Sequence, residues 1–509
     1  MKGDFMGFLD IFGGPKPKIA KSMSVRYLDL KKAYKPYYIV ASVEVGNTTT
    51  KCILTATDLK EGKSYLLIKL VKMTRDVRPP KKGEEVFGKT LAGVELTRES
   101  VAELVRDTLI QACGKVGLDI DEDLHFVVRS TGVVAGFSSP EEVGKIIQAL
   151  ADGCLMAGVP PSRMTPALSK HNILPKFRPF TNIDRVVFDG AVASVLPPMG
   201  ATGVEVVANE MEGELATAGI KEGAKWAGID FRNPALSIDC GTTLDGRITN
   251  NELPYAKTIG NFCGFAGAIP DEIVKGSGLV DPRLGTTLDV FGEIPLGRFS
   301  NSMKKNVIEK YVKEIMKHVV IEKVPLGRDR YGSVPVNPQA AEKVGVVLIG
   351  CDVGVNGDEF KELREIGAEV YSEYGKESLS TVIDFVMAEV VVKLVKTAHE
   401  LGLMFPETRV GITGRAGITG EKPYLILEKL MKLGILEKTS EQVVFVDDGL
   451  ARGAAVMARC MNSLGTPHNP LGGVVDGKCI MGLRMKLQGK KPSKRKEKDE
   501  RSVRYWEQA

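Results

Sequence analysis

Long apolar runs are missing from this 509-residue chain. Its most apolar stretches, such as Val386 to Val395, are broken by charge well short of the roughly 20 residues that span a bilayer, so no membrane crossing is expected. The start, Met1 to Gly14, carries apolar residues (Phe5, Met6, Phe8, Leu9, Ile11, Phe12) but lacks the basic leader and small-residue cleavage site of a secretory signal. The chain is therefore expected to stay in the cytosol. Paired cysteines are missing as well. Cys52, Cys113, Cys154, Cys240, Cys263, Cys351, Cys460 and Cys479 stand singly, with no Cys-x-x-Cys pair and no histidine at finger-like spacing, which argues against a built-in zinc or iron–sulfur site. The five histidines are scattered and none is assigned chemistry.

What remains is ordinary globular material, with 43% hydrophobic and 26% charged residues. Single cores usually stop growing at roughly 250–300 residues, so this length predicts two lobes. The net charge of +5 is modest and comes partly from the basic run Lys490 to Arg504. Such a run reads as a solvated, disordered tail, and no nucleic-acid partner is expected.

After a basic lead-in over 1–36, expected to be flexible, Tyr38 to Val43 reads as a buried strand and Glu44 to Thr50 as a turn. Lys51 to Thr57 and Ser64 to Val71 complete an antiparallel meander, followed by a helix over Thr97 to Val116, a strand over His125 to Arg129 and a helix near Pro140 to Gly158. The stretch 160–234 is punctuated by Pro, Gly and Met. Only Arg185 to Phe188 and Val204 to Val207 look extended there, and the segment is expected to cover or link the lobes. From Ala235 the opening pattern returns, with strands at Leu236 to Ile238, around Gly246 to Thr249 and near Tyr255 to Ile259. Alternating elements follow: a strand over Val344 to Ile349, a long helix over Leu379 to Leu401, strands over Thr408 to Thr413 and Gln442 to Val446, and helices over Pro423 to Leu433 and Gly449 to Met461. The expected domains are a first lobe over 37–234, a second over 235–485 and a tail over 486–509.

The most informative feature is an internal repeat. Ser42-Val43-Glu44-Val45-Gly46-Asn47-Thr48 recurs as Ser237-Ile238-Asp239-Cys240-Gly241-Thr242-Thr243. Each copy ends a strand with an acid, turns sharply at a glycine and continues in hydroxyls. Backbone N–H groups and threonine hydroxyls suit phosphate oxygens, and the acid can hold hydrated magnesium or orient a water. One copy alone would read as an ordinary hairpin turn. Two copies about half a chain apart, each opening a meander, predict a pair of turns gripping one polyphosphate. A shorter match, Gly285-Thr286-Thr287-Leu288-Asp289 with Gly241 to Asp245, follows no strand pattern.

These residues resemble the two phosphate motifs of the acetate-kinase, sugar-kinase, heat-shock and actin superfamily of ATPases. Val410 to Gly417 resembles its adenosine motif, and Gly449 to Ala455 its small-residue hinge helix. Within the superfamily, the turn Glu44 to Lys51 and the loop Arg129-Ser130-Thr131-Gly132 are similar to activators of 2-hydroxyacyl-CoA dehydratases and of corrinoid proteins. The whole chain resembles the methanogenesis marker protein 14 family.

The resemblance implies an α/β fold of two duplicated actin-like (ribonuclease H-like) lobes with mixed sheets around a central nucleotide cleft. It implies ATP and magnesium as ligands, bound by Gly46, Asn47, Thr48, Thr49, Thr50, Lys51, Gly241, Thr242, Thr243, Gly414, Arg415, Gly417 and Gly453. Asp239 and Glu44 would be catalytic and hold magnesium through water. Glu44 stands where the superfamily has Asp, and the activators' cluster-binding cysteines have no counterpart. The function expected is an ATP-binding activator or assembly factor for a redox or methyl-transfer enzyme of methane metabolism, with a protein partner and a possible homodimer. A small-molecule kinase and a non-catalytic nucleotide-responsive scaffold are the alternatives.

Overall fold

The computed structural model describes residues 16–32, 37–58, 63–133, 137, 140–164, 167–168, 186–189, 192–195, 210–250, 258–292, 303–343, 345–461, 474–475 and 478–479. The expected tail and the strand at Val204 to Val207 lie outside these residues. Among the described residues no helix is long and apolar enough to cross a membrane.

Among the described residues the first elements are a short strand β1 (Lys18–Ala20) and helix α1 (Tyr27–Lys32). Then come β2 (Tyr37–Val45), β3 (Thr49–Asp58), β4 (Lys63–Met73), α2 (Arg98–Val116), β5 (Phe126–Thr131) and α3 (Pro140–Met156). The strands form a sheet in the order β4-β3-β2-β5, antiparallel except for the parallel pair β2 and β5. Strand β2 is buried along nearly its whole length because both its faces are covered. Ile39, Ala41 and Val43 join a core with Leu109, Ile146 and Leu150 of α2 and α3, while Tyr38 and Val40 face Leu215 and Ala454. Thr97 caps α2 in a box with Ser100, and Gly117, in the left-handed region at φ 71°, ends it.

The second half repeats this plan. After α4 (Glu210–Trp226), strands β6 (Ala235–Cys240), β7 (Leu244–Thr249) and β8 (Thr258–Gly264) form a second antiparallel meander. The rest of this half comprises α5 (Ala268–Gly276), α6 (Thr287–Phe291), α7 (Lys305–Lys317), β9 (Val319–Lys323), β10 (Val347–Val353), α8 (Phe360–Glu400), β11 (Arg409–Thr413), α9 (Lys422–Leu433), β12 (Val443–Val446) and α10 (Gly449–Met461). The eight-stranded order is β1-β12-β11-β6-β7-β8-β10-β9, with β11 parallel to β6 just as β5 is parallel to β2. Both lobes therefore carry a three-strand meander with a parallel strand on the outer edge of its first strand. This is the duplicated actin-like, ribonuclease H-like α/β architecture.

Two expectations are corrected. The lead-in is not uniformly flexible: β1 pairs in parallel with β12 at the edge of the second sheet, while α1 buries Tyr27 and Leu30 in the first lobe. The helix expected over Leu379 to Leu401 begins slightly earlier, just after Gly375, whose φ of 78° and ψ of −172° no helix accommodates, and it is preceded by a separate helical segment from Phe360 that was not expected; α8 denotes the two together.

Helix α4, which lies in the segment expected to cover or link the lobes, crosses α10 at backbone contact. A Cβ placed on Gly219 would lie 1.8 Å from the Gly449 carbonyl oxygen, and one on Gly453 would lie 2.0 Å from that of Leu215. Small residues are required here because the two backbones fill the space. Gly453→Ala is expected to lower stability by about 1–3 kcal/mol through overpacking. Gly114→Ala, in α2 with nothing within 4 Å of the added methyl, is expected to be neutral or stabilising. Denaturant unfolding measures both, and equal effects of the two substitutions would contradict the contact.

Candidate functional site

The two repeated turns face one another across the gap between the lobes. The Thr48 and Thr242 hydroxyls lie 2.9 Å apart and share a hydrogen bond. Each turn is held within its own lobe: the Gly46 N–H donates to the Thr49 carbonyl at 2.9 Å, and the Gly241 carbonyl accepts from the N–H of Gly267, which precedes α5, at 2.7 Å. The N–H groups of Asn47, Thr48, Gly241 and Thr242 make no hydrogen bond among the described residues. Two small arrays of unused backbone donors thus meet at one point, an arrangement suited to anionic oxygens.

Around the turns lies a cavity of about 570 Å³, lined by both lobes. Of the residues singled out in the sequence, Glu44, Gly46, Asn47, Thr48, Thr49, Lys51, Asp239, Gly241, Thr242, Thr243, Gly414 and Arg415 line it. Three do not. The Thr50 hydroxyl is buried in a bond with Thr74 at 3.0 Å. Gly417 packs under β6, where a Cβ would lie 3.2 Å from the Cys240 sulfur, and Gly453 belongs to the helix crossing. Asn47 lines the cavity, but its side chain is committed elsewhere: Nδ2 donates to the Gly132 carbonyl at 2.7 Å and Oδ1 accepts from the Leu91 N–H at 2.9 Å. That amide staples the turn to its lobe and leaves only the backbone N–H facing the gap.

Carboxylates gather below the turns. Glu44 stands opposite Lys51 across the β2–β3 hairpin, with the ammonium 3.3 and 3.4 Å from its two oxygens. Asp239 is buried at the end of β6, beside Gly414, where a Cβ would come within 2.3 Å of Asp239 Oδ1. Only glycine fits there, at a φ of 81°. Burial first, then the Glu44 charge, pushes the Asp239 carboxyl up to about 7 against the opposite pull of Lys51.

Two further acids were not anticipated from sequence. Glu212, near the start of α4, and Asp245, on β7 directly opposite Asp239, are both buried and line the same cavity. The two side chains are hydrogen-bonded to each other, and burial followed by the Asp245, Glu44 and Asp239 charges holds the Glu212 carboxyl well above the usual carboxylate range. The Glu212 Oε1 and the Asp245 Oδ1 are both buried without a hydrogen-bond partner. Asp245 stands inside the recognised Gly-Thr-Thr-Leu-Asp run, and Glu212 inside the acid-rich stretch Glu210 to Glu214.

The far end of the cavity is formed by Leu288 and Phe291 of α6, Ile383 and Asp384 of α8, and the turn Arg415 to Lys422. The buried Lys422 ammonium donates to Asp384, which also accepts from the Glu421 N–H at 2.6 Å. This pair holds the turn against α8.

The residues present fit a magnesium nucleotide. The glycine turns leave unused N–H donors, the acids lie behind them, and the far end is partly apolar. Among the described residues no three His, Cys, Asp or Glu side chains are gathered closely enough to hold a metal unaided. That donor set suits magnesium carried by phosphate oxygens and water rather than by a protein cage.

A family model described as "Uncharacterized protein conserved in archaea (DUF2114)" matches residues 37–488. The chain belongs to this archaeal family. Two uncharacterized proteins are close relatives. One, from Methanocaldococcus jannaschii, is 57% identical over 488 residues, covering 95% of this chain and 98% of its own. The other, from Methanothermobacter thermautotrophicus, is 54% identical over 506 residues, covering 97% and 93%. Solved structures align more distantly. MreB 5 of Spiroplasma citri, bound to AMPPNP, matches at 12% identity and a TM-score of 0.31 over 82% of this chain and 95% of that one. The Aquifex aeolicus PPX-GPPA enzyme matches at 12% identity and a TM-score of 0.24 over 67% and 93%.

The raised Asp239 carboxyl has a consequence for stability. Between its ordinary 3.8 and about 7 the folded protein keeps a proton that the unfolded chain releases. Stability from this group therefore falls as pH rises through that window and levels off above it, a change of at most about 4 kcal/mol. In EDTA, unfolding of the wild type is expected to become easier relative to Asp239→Asn between pH 5 and pH 8. Parallel pH profiles for the two proteins would contradict the assignment.

Proposed function

We propose that this protein binds Mg-ATP between its two lobes and hydrolyses it, using lobe closure to act on a protein partner. The observation that carries this reading is the pair of facing turns, with unused N–H groups on both sides of the Thr48–Thr242 contact and buried carboxylates beneath. The phosphates would lie against the N–H groups of Asn47, Thr48, Gly241 and Thr242, with Lys51 as the nearby cation. The adenosine would lie along Gly414 and Arg415, between α6 and Ile383. Glu44 and Asp239 would hold magnesium through water. Magnesium, when bound, neutralises phosphate charge and strengthens the polarisation of water.

The chain's own acids divide the remaining work. Asp239, buried at the end of β6 behind the second turn, would take the proton from the attacking water. Glu212, held toward its neutral form by burial and the neighbouring acids, would use its unpartnered Oε1 to orient the water. Both lobes contribute to the ligand's surroundings, so binding favours the closed cleft, and loss of the terminal phosphate removes the charge that bridges the turns. The partner that reads this closure is a redox or methyl-transfer enzyme, as the resemblance to activator ATPases implies.

One observation favours a second reading, phosphoryl transfer to a small molecule. A second cavity of about 380 Å³ adjoins the first and shares Asn47, Thr48, Thr242 and Asp271 with it. ADP formation that depends on an added acceptor would favour this kinase reading over hydrolysis.

With partner supplied, Asp239→Asn is expected to reduce ATP turnover by at least about a hundredfold while leaving much of the nucleotide affinity, since the amide keeps the shape and loses the charge that favours magnesium and a polarised water. Glu44→Asp, which shortens the arm that reaches Lys51, is expected to keep or raise turnover. A coupled ADP assay decides both. Equal background rates for wild type and Asp239→Asn would defeat the ATPase reading and leave a nucleotide-responsive scaffold.

A further inference from the structure

The run Gly285 to Asp289 repeats the sequence of the second turn but builds something else. Thr286 caps α6: the Asp289 carboxylate accepts from the Thr286 N–H at 2.9 Å and from its hydroxyl at 3.2 Å. The Thr287 N–H and hydroxyl donate to Asp271 of α5 at 2.7 and 2.8 Å, so the helix is pinned within the second lobe. Its Thr287, Leu288 and Phe291 line the first cavity.

Asp289 also reaches the first lobe. Arg75 Nη1 and Nη2 donate to its two oxygens at 2.7 and 2.5 Å, and Nη1 donates as well to the Leu284 carbonyl at 2.8 Å. Both side chains are only 25% exposed, and the paired, fork-like geometry is the strong form of a carboxylate–guanidinium contact. Arg75 lies in the turn Thr74 to Asp76 that follows β4. Its neighbour Thr74 is bound to the first phosphate-type turn at three points: its N–H donates to the Thr48 carbonyl at 2.9 Å, its hydroxyl donates to the Gly46 carbonyl at 2.7 Å, and the Thr50 hydroxyl lies 3.0 Å away. One short turn therefore grips the first hairpin with one residue and α6 of the opposite lobe with the next.

We infer that Arg75 and Asp289 form a latch across the cleft, positioning α6 over the bound nucleotide and setting how fast it leaves. The inference rests on the nucleotide-binding reading above. Movement of the first turn is carried through Thr74 to Arg75 and so to α6, which couples the phosphate end of the cleft to the wall at its far end. Neither residue touches the reacting phosphate in this arrangement; they are positioning residues.

Release of a fluorescent ATP analogue from the full-length protein with magnesium, followed by stopped flow, tests the latch. Arg75→Ala leaves the α6 cap intact and is expected to speed release roughly five- to thirtyfold, with Arg75→Lys intermediate because it keeps the charge and loses the fork. Asp289→Ala also removes the cap, so the double variant Arg75→Ala/Asp289→Ala is expected to release no faster than Asp289→Ala alone. Unchanged release in Arg75→Ala, or additive effects in the double variant, would overturn the latch. If wild type binds no nucleotide, the binding reading fails, and hydrogen exchange of the ligand-free protein tests the latch separately. Faster exchange over residues 284–292 in Arg75→Ala would support it, and equal exchange would overturn it.

Discussion

Two helices that cross with their backbones touching place everything else in this molecule. At the crossing of α4 and α10, glycines 219 and 453 remove the side chains that would keep helix axes at the usual 8–10 Å. Each helix also packs against the sheet of a lobe: α10 against Tyr38 and Val40 of β2, α4 against β6 and β11 through Ile220. Fixing the helices relative to each other therefore fixes the two meanders, and with them the turns at their ends. The Thr48–Thr242 contact is the downstream result. Had the helices stood one methyl layer further apart, the turns could not share a hydrogen bond.

The same geometry concentrates negative charge where water is scarce. Glu44, Asp239, Glu212 and Asp245 come from four different elements and line one cavity, in which Lys51 is the cation paired with Glu44. The lobe pays for this arrangement in stability, since burial and mutual repulsion keep protons on groups that water would leave ionised. A divalent cation with a polyphosphate, as proposed, would resolve the conflict: the metal would supply charge for the acids, and the turns donors for the phosphates. On the proposed reading, the stability that these buried acids withhold becomes available when nucleotide binds, which biases the relation between the lobes.

Much of this was legible in the sequence because it is local. A strand, an acid, a glycine and a hydroxyl cluster lie within seven residues, and their recurrence identifies both turns and the duplicated meander. The helix over Gly449 to Met461 was legible from its small residues, although Gly453 packs at the helix crossing and does not line the cavity. What escaped depends on distant partners. Glu212 gains meaning only when α4 sets it against Asp245, and β1 becomes a strand only because β12 leaves an open edge. Asn47 has the residue type that suits phosphate, yet Gly132 and Leu91 take up its side chain. The second Gly-Thr-Thr-Leu-Asp run follows no strand pattern in the sequence, and Asp271 and Arg75, both outside it, make it a pinned helix.

The central claim is that the paired turns form a single magnesium-nucleotide site, and titration calorimetry of the full-length protein tests it most directly. Mg-ATP should bind once per chain, with affinity that weakens when magnesium is removed by EDTA, and with heat lost when Gly241→Val fills the second turn. Absence of binding at millimolar Mg-ATP, or binding unaffected by both EDTA and Gly241→Val, would contradict the account.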